Sequence, residues 1–174
     1  MQRTHWIVIT GAPCSGKTSV IRILENDGYE VVHETARALL DHALAQGLTL
    51  EAIKADELTF ERHVLSAKIA AESSLNKNRP VFLDRAIPDS IAYFRKAGFD
   101  ITEPLASSRL FQYRKIFLFE RLLFQKDAVR SEDDAIAAEL ERLLAESYEM
   151  LGYSVLRVPV MPVVERTEFI LSHL

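Results

Sequence analysis

The chain has 174 residues, 48% hydrophobic and 26% charged, with 6 glycines and 6 prolines, a balance that excludes the disordered and fibrous classes. Its formal charge of −4 argues against general affinity for nucleic acid, and a single cysteine, Cys14, excludes an internal disulfide or a zinc cluster built on cysteines. The length predicts one domain over 1–174. No apolar run approaches the roughly 20 residues of a membrane-spanning helix, and Met1–His5 carries no signal-peptide pattern, so the cytoplasm is the expected location.

The first predicted element is the apolar strand Trp6-Ile7-Val8-Ile9, and Thr10–Thr18 follows as TGAPCSGKT. Gly11, four residues and then Gly16-Lys17-Thr18 is the spacing of a phosphate-binding loop. In such a loop backbone N–H groups wrap a phosphate, lysine reaches the β/γ-phosphates and the hydroxyl ligates Mg²⁺. The context agrees, because Ser19–Asn26 places Val20, Ile21 and Leu24 at helical spacing before Asp27-Gly28 ends the helix. A helix N-terminus is where an anion is favoured. Gly11, Ala12, Pro13, Cys14, Ser15, Gly16, Lys17, Thr18 and Ser19 are therefore the expected nucleotide-binding residues.

Tyr29–Val32 is the second predicted strand, followed by His33-Glu34-Thr35-Ala36-Arg37 and a helix to Gly47. Thr49 is the expected N-cap of one long helix to about Leu75, with Phe60, Val64, Ala67 and Ala71 along its inward face. Pro80–Asp84 is a third strand, continuously apolar as in a parallel sheet covered on both sides. A helix over about Asp89–Ala97, a short helix near Leu105–Phe111 and a fourth strand, Lys115–Phe119, come next. Polar Gln125–Asp134 leads into a helix carrying Ile136, Leu140, Leu143 and Leu144; Ser154–Val158 is the fifth strand, and Pro162–Ser172 the last helix. This alternation predicts a three-layer α/β/α sandwich around a five-stranded parallel sheet.

In such sheets ligands bind beyond the C-terminal strand ends, and the charged residues concentrate there. Asp84 closes the third strand, which is expected beside the first, so Thr18 and Asp84 are the candidate Mg²⁺ ligands. Arg85 is read as a cation aimed at phosphates or acceptor. Glu34 and Arg37 lie past the second strand, where an acceptor hydroxyl needs a base and a clamp. Arg130, or Lys126, on a lid over about 124–134 is positioned to neutralise a transferring phosphoryl group. His33, His42 and His63 lack paired ligand spacing and read as surface or structural residues. Cys14, close to Lys17 and a helix start, is a candidate redox-sensitive thiol.

GAPCSGKTS at 11–19, VVHETAR at 31–37, FLDRAIPDSIAY at 82–93, FQKDAVRSED at 124–133 and YEMLGYSVLRVPVMPVVER at 148–166 together resemble the P-loop nucleoside-kinase-like proteins. The likeness is strongest to the small AAA-type ATP-binding domains similar to the ribosylnicotinamide kinase domain. The resemblance implies ATP in the loop, Mg²⁺ at Thr18 and Asp84, an acceptor pocket near Glu34, Arg37, Arg85 and Asp89, and a lid bearing Arg130. It names no acceptor.

Other phosphate-loop classes fit poorly. Asn76-Lys77-Asn78-Arg79 lacks the acid of a GTPase motif and precedes its strand, Asp84 is followed by Arg85 rather than glutamate, and no Leu-Ser-Gly-Gly signature is present. Two readings follow: an ATP-dependent kinase of a small-molecule hydroxyl, with Lys17, Glu34, Asp84 and Arg130 as its catalytic set, and a nucleotide switch acting through a protein partner.

Overall fold

The computed structural model describes residues 1–122 and 130–174, the side chains of 130–133 excepted. Its strands are β1 (Gln2–Arg3), β2 (Ile7–Gly11), β3 (Glu30–Val32), β4 (Val81–Asp84), β5 (Phe111–Gln112), β6 (Lys115–Phe119) and β7 (Val155–Val158). The helices are α1 (Lys17–Asn26), α2 (Thr35–Ala45), α3 (Leu50–Ala55), α4 (Glu57–Ser74), α5 (Asp89–Lys96), α6 (Thr102–Ser107), α7 (Arg130–Glu149) and α8 (Val163–Ser172).

Five strands form one parallel sheet in the order β3-β4-β2-β6-β7, as the alternating pattern predicts. Every residue of β2 and β4 is buried, so their sequences are apolar without alternation, yet the pleat still sorts them by parity. Ile7, Ile9, Phe82, Phe117 and Phe119 pack with Val20, Ile21 and Leu24 of α1 and Ile170 of α8. Trp6, Val8, Val81, Leu83 and Ile116 turn the other way, onto Leu65 of α4, Phe94 of α5 and Tyr148 of α7. Helices therefore cover both faces. β4 lies directly beside β2, with Ile9 opposite Asp84, and this register sets the end of β4 against the start of the phosphate loop.

Three local expectations are corrected. The single long helix from Thr49 is two helices. Thr49 does cap the first, accepting from Ala52 N at 3.2 Å, but Asp56, at φ −127° and ψ 53°, ends α3 and accepts from Thr59 N at 3.4 Å to begin α4. A carboxylate four residues before the apolar stripe thus offers a second cap that competes with helix continuation. The inward face of α4 also differs. It buries Glu61, Lys68 and Glu72 beside Val64 and Leu65, whereas Phe60, Ala67 and Ala71 are half-buried. Finally, the helix expected near Leu105–Phe111 lies at Thr102–Ser107. Phe111 and Gln112 instead pair with Gln2 and Arg3 as a small second sheet, fastened by Thr4 Oγ1 donating to Gln112 O at 3.0 Å.

Among the described residues no helix is long and apolar enough to cross a membrane. Lys126, the Arg130 side chain and most of the expected lid at 124–134 lie outside the described residues.

Candidate functional site

The loop after β2 has the conformation its glycines permit. Gly11 sits at φ +145°, and a Cβ there would come within 2.8 Å of Phe119 O, so a side chain is excluded both by backbone and by β6. Gly16, at φ +88°, turns the chain into α1. Ala12 and Ser15 are buried in the loop, while Pro13, Cys14, Thr18 and Ser19 are exposed. Cys14 has φ 59° and carries a free, exposed thiol.

Lys17 opens α1 and folds back across the loop. Its Nζ donates to Gly11 O at 3.0 Å, Ala12 O at 2.8 Å and Ser15 Oγ at 3.2 Å. Burial, and then repulsion from Arg85, lower its pKa to about 8. All three of its acceptors are neutral, so a bound phosphate would offer this ammonium the strong anionic partner the loop itself does not supply.

Asp84 ends β4, 4% exposed, with its Oδ1 buried and without a hydrogen-bond partner. Burial pushes its carboxyl up to about 6, opposed by Lys17 and Arg85. An orphaned carboxylate oxygen is costly unless a ligand completes it. No group of three or more metal-binding side chains exists among the described residues. Mg²⁺ takes one or two protein ligands and fills its octahedron with phosphate oxygens and water. Asp84 and the exposed Thr18 hydroxyl are the residues that fit it.

Arg85 follows in the left-handed region, φ +68°, a conformation that costs about 1–2 kcal/mol for a residue with a side chain. The surroundings hold it there. Its backbone N–H donates to Ile9 O at 3.0 Å, its guanidinium lies 5.5 Å from the Tyr93 ring, and Nε donates to Glu34 Oε1 at 2.8 Å. The Arg85 side chain is 3% exposed and that of Glu34 is 30% exposed. The pair therefore joins the ends of β3 and β4 with the carboxylate on the open side. Glu34 Oε2 has no hydrogen-bond partner among the described residues.

Asp89 is placed differently from the expected acceptor contact. It is fully buried, with Oδ1 accepting from Thr10 Oγ1 at 2.5 Å and from Arg85 Nη1 at 3.4 Å, and Oδ2 accepting from Ala86 N at 2.9 Å and from the Tyr148 hydroxyl. Burial alone would raise its carboxyl; Lys68, Arg85 and the bonds from Ala86 N and Thr10 outweigh that and hold it below the usual range. Asp89 thus anchors Arg85 to β2 from beneath. Arg37 is exposed and pairs with Asp41 at 3.6 Å rather than joining Glu34. His33 is an exposed partner of Glu25 at 3.2 Å.

Sequence reasoning missed three contributors: Thr10, Tyr148 and Arg166. Thr10 and Tyr148 complete the Asp89 anchor. Arg166, 2% exposed, donates through Nη1 to Ser15 O at 2.5 Å. The signal for Arg166 was its helical spacing, four residues before buried Ile170, which puts it on the inward face of α8.

The fold has counterparts among solved structures. Deoxyadenosine kinase from M. mycoides is similar with a TM-score of 0.65, 16% identity and 97% of each chain covered. Thymidylate kinase from Ehrlichia chaffeensis matches with a TM-score of 0.67, 15% identity and 99% of each chain. The NadR protein in complex with NR gives a TM-score of 0.67 and 18% identity over 89% of this chain and 44% of its own. Among curated proteins no sequence matches the chain significantly. The AAA domain family model matches residues 6–166, which contain the phosphate loop, Glu34, Asp84, Arg85 and Arg166. The chain belongs to that AAA domain family, as a P-loop NTPase domain of nucleoside-kinase-like fold.

Proposed function

We propose that the chain is an Mg²⁺-dependent phosphotransferase that moves the γ-phosphoryl group of ATP to a hydroxyl of a nucleoside-like small molecule. The observation that carries this reading is the Glu34–Arg85 pair, with its half-open carboxylate across the sheet end from the phosphate loop. A nucleotide site alone does not require a base and a cation there. An acceptor hydroxyl does.

In this reading backbone N–H groups of 11–18 hold the phosphates, and Lys17 leaves its carbonyl acceptors for the β/γ oxygens. Glu34 accepts the acceptor's hydroxyl proton as that oxygen bonds to the γ-phosphorus and the bond to the β-phosphate oxygen breaks, releasing ADP. Arg85 keeps Glu34 oriented and lends positive charge beside the reacting centre. Mg²⁺, when bound, neutralises the developing phosphate charge; Thr18 and Asp84 are its proposed ligands. Arg130 on the 124–134 segment is proposed, from the sequence alone, as the further cation that closes over the phosphates. Cytoplasmic ATP would serve the reaction.

The deoxyadenosine kinase and NadR structures, described with nucleotides and with NR respectively, support a nucleoside-like acceptor. A second reading, a nucleotide switch acting through a protein partner, draws support from Leu44, Leu48 and Leu50, exposed at the end of α2 and the start of α3. One experiment separates them. Protein, Mg-ATP and a library of nucleosides, sugars and other alcohols are incubated while ADP release is followed. Stimulation by a hydroxyl compound with a phosphorylated product supports the kinase; ADP release indifferent to every acceptor supports the switch.

A further inference from the structure

The Arg166 guanidinium is buried, yet it forms no ion pair with a carboxylate among the described residues. Nε donates to Pro159 O at 3.0 Å, Nη1 to Ser15 O at 2.5 Å, and the group lies over the Phe119 ring at 5.1 Å. Nη2 is buried without an acceptor. A cation held by two carbonyls and a ring, with one donor unmet, is an expensive thing to bury. Its placement indicates what it serves.

Ser15 lies in the phosphate loop, and Gly16 is so near that a Cβ on it would meet Nη1 at 3.2 Å. Across a trans peptide the C=O and the next N–H point in opposite directions. Drawing Ser15 O back onto Arg166 therefore turns Gly16 N–H away from Arg166. A loop that binds an anion needs its N–H groups pointed inward and its carbonyls outward. The same guanidinium also ties the segment after β7 to the loop through Pro159 O.

We propose that Arg166 is a positioning residue of the phosphate loop: it holds the Ser15–Gly16 peptide in its anion-receiving orientation and places a fixed positive charge directly behind it. The ligand class is the polyphosphate of a nucleotide, so the inference rests on the nucleotide-site reading of the loop. Helix anchoring alone would stabilise α8 without altering phosphate affinity.

The test uses Arg166→Met, which keeps a long stem over Phe119 but removes the charge and donors, and Arg166→Lys, which keeps the charge but loses the fork. Affinities for Mg-ATP and for inorganic tripolyphosphate are measured by calorimetry. Hydrogen exchange of loop peptides 11–19 is followed without ligand, and melting temperatures are recorded. Arg166→Met is expected to weaken both ligands by about tenfold or more, the scale of one charge-assisted hydrogen bond, and to speed loop exchange. Arg166→Lys should fall between.

A lower melting temperature with wild-type affinities and wild-type loop exchange overturns the proposal and leaves Arg166 a helix anchor. If Arg166→Met does not fold, Arg166→Lys decides by the same criteria. If wild-type protein binds neither ligand, the nucleotide reading fails by itself. Loop exchange then decides the bracing alone: faster in the variant supports it, unchanged overturns it.

Discussion

Arg85 Nε donates to Glu34 Oε1 at 2.8 Å, joining residues 51 positions apart at the ends of neighbouring strands. The bond leaves Glu34, its side chain 30% exposed, with one oxygen fixed by a cation and the other without a hydrogen-bond partner among the described residues. Glu34→Gln keeps the size and an oxygen for Arg85 but removes the proton acceptor. Acceptor phosphorylation should fall by roughly 10²- to 10⁴-fold, the usual worth of a positioned general base, with ATP affinity nearly unchanged. Full phosphorylation by the variant, measured in single turnover, would remove Glu34 from the mechanism.

Lys17 donates hydrogen bonds only to neutral partners, two of them backbone carbonyls. Lys17→Ala should abolish turnover and weaken Mg-ATP binding, because the point charge on the β/γ-phosphates is lost. The apolar clusters on either side of the sheet do not include it, and circular dichroism should be unaltered. Wild-type turnover in the variant would show that the loop does not present this lysine to phosphate.

The sheet was legible because its signals are local. Apolar runs, glycine punctuation and the loop spacing all sit within a few residues of the elements they specify. The position of β4 beside β2 was expected as well, and Asp84 was read as facing Thr18 because of it; the register of the two strands bears out the position. The role of Asp89 was not legible: nothing in Pro88-Asp89-Ser90 says that Thr10 and Tyr148, 79 and 59 residues distant, converge on it. Arg37 was read beside Glu34 as a clamp for an acceptor hydroxyl; Arg85 arrives from another strand and takes the Glu34 carboxylate, and Arg37 pairs with Asp41, one turn away. The charged inward face of α4 was hidden too, since Glu61, Lys68 and Glu72 read as solvent-facing until tertiary partners are known.

Asp89 should act on stability as much as on catalysis. Asp89→Ala removes four hydrogen-bond interactions and leaves Arg85 buried beneath its pair with Glu34. Breaking a buried charged network from one side typically costs about 3–5 kcal/mol, and urea unfolding should register a loss of that order. Asp89→Asn keeps the shape and one acceptor oxygen and should lose less. A cost below about 0.5 kcal/mol for Asp89→Ala, the range of neutral surface substitutions, would mean that Arg85 is held by other contacts.

Glu72 provides a stability signal readable by pH. Its Oε1 accepts from Ile87 N at 2.9 Å and its Oε2 from the Tyr113 hydroxyl at 2.7 Å, while burial pushes its carboxyl up to about 7 against these bonds and the charge of Lys68. The folded protein therefore holds this proton more tightly than the unfolded chain does. The stability so gained is fully present below about pH 4.5 and is lost as pH rises through about 7. Lys68, also buried and with its pKa lowered by that burial, is common to wild type and variant. Glu72→Gln is neutral at every pH and keeps an oxygen for Ile87 N, while the Tyr113 hydroxyl is free to rotate and accept from the amide. The variant should match wild type near pH 4.5 and exceed it at pH 8 by on the order of 1–3 kcal/mol, each pKa unit being worth about 1.4 kcal/mol. Urea unfolding at both pH values measures the difference. A gap that is the same at pH 4.5 and pH 8 would show that Glu72 keeps an ordinary carboxyl despite its burial.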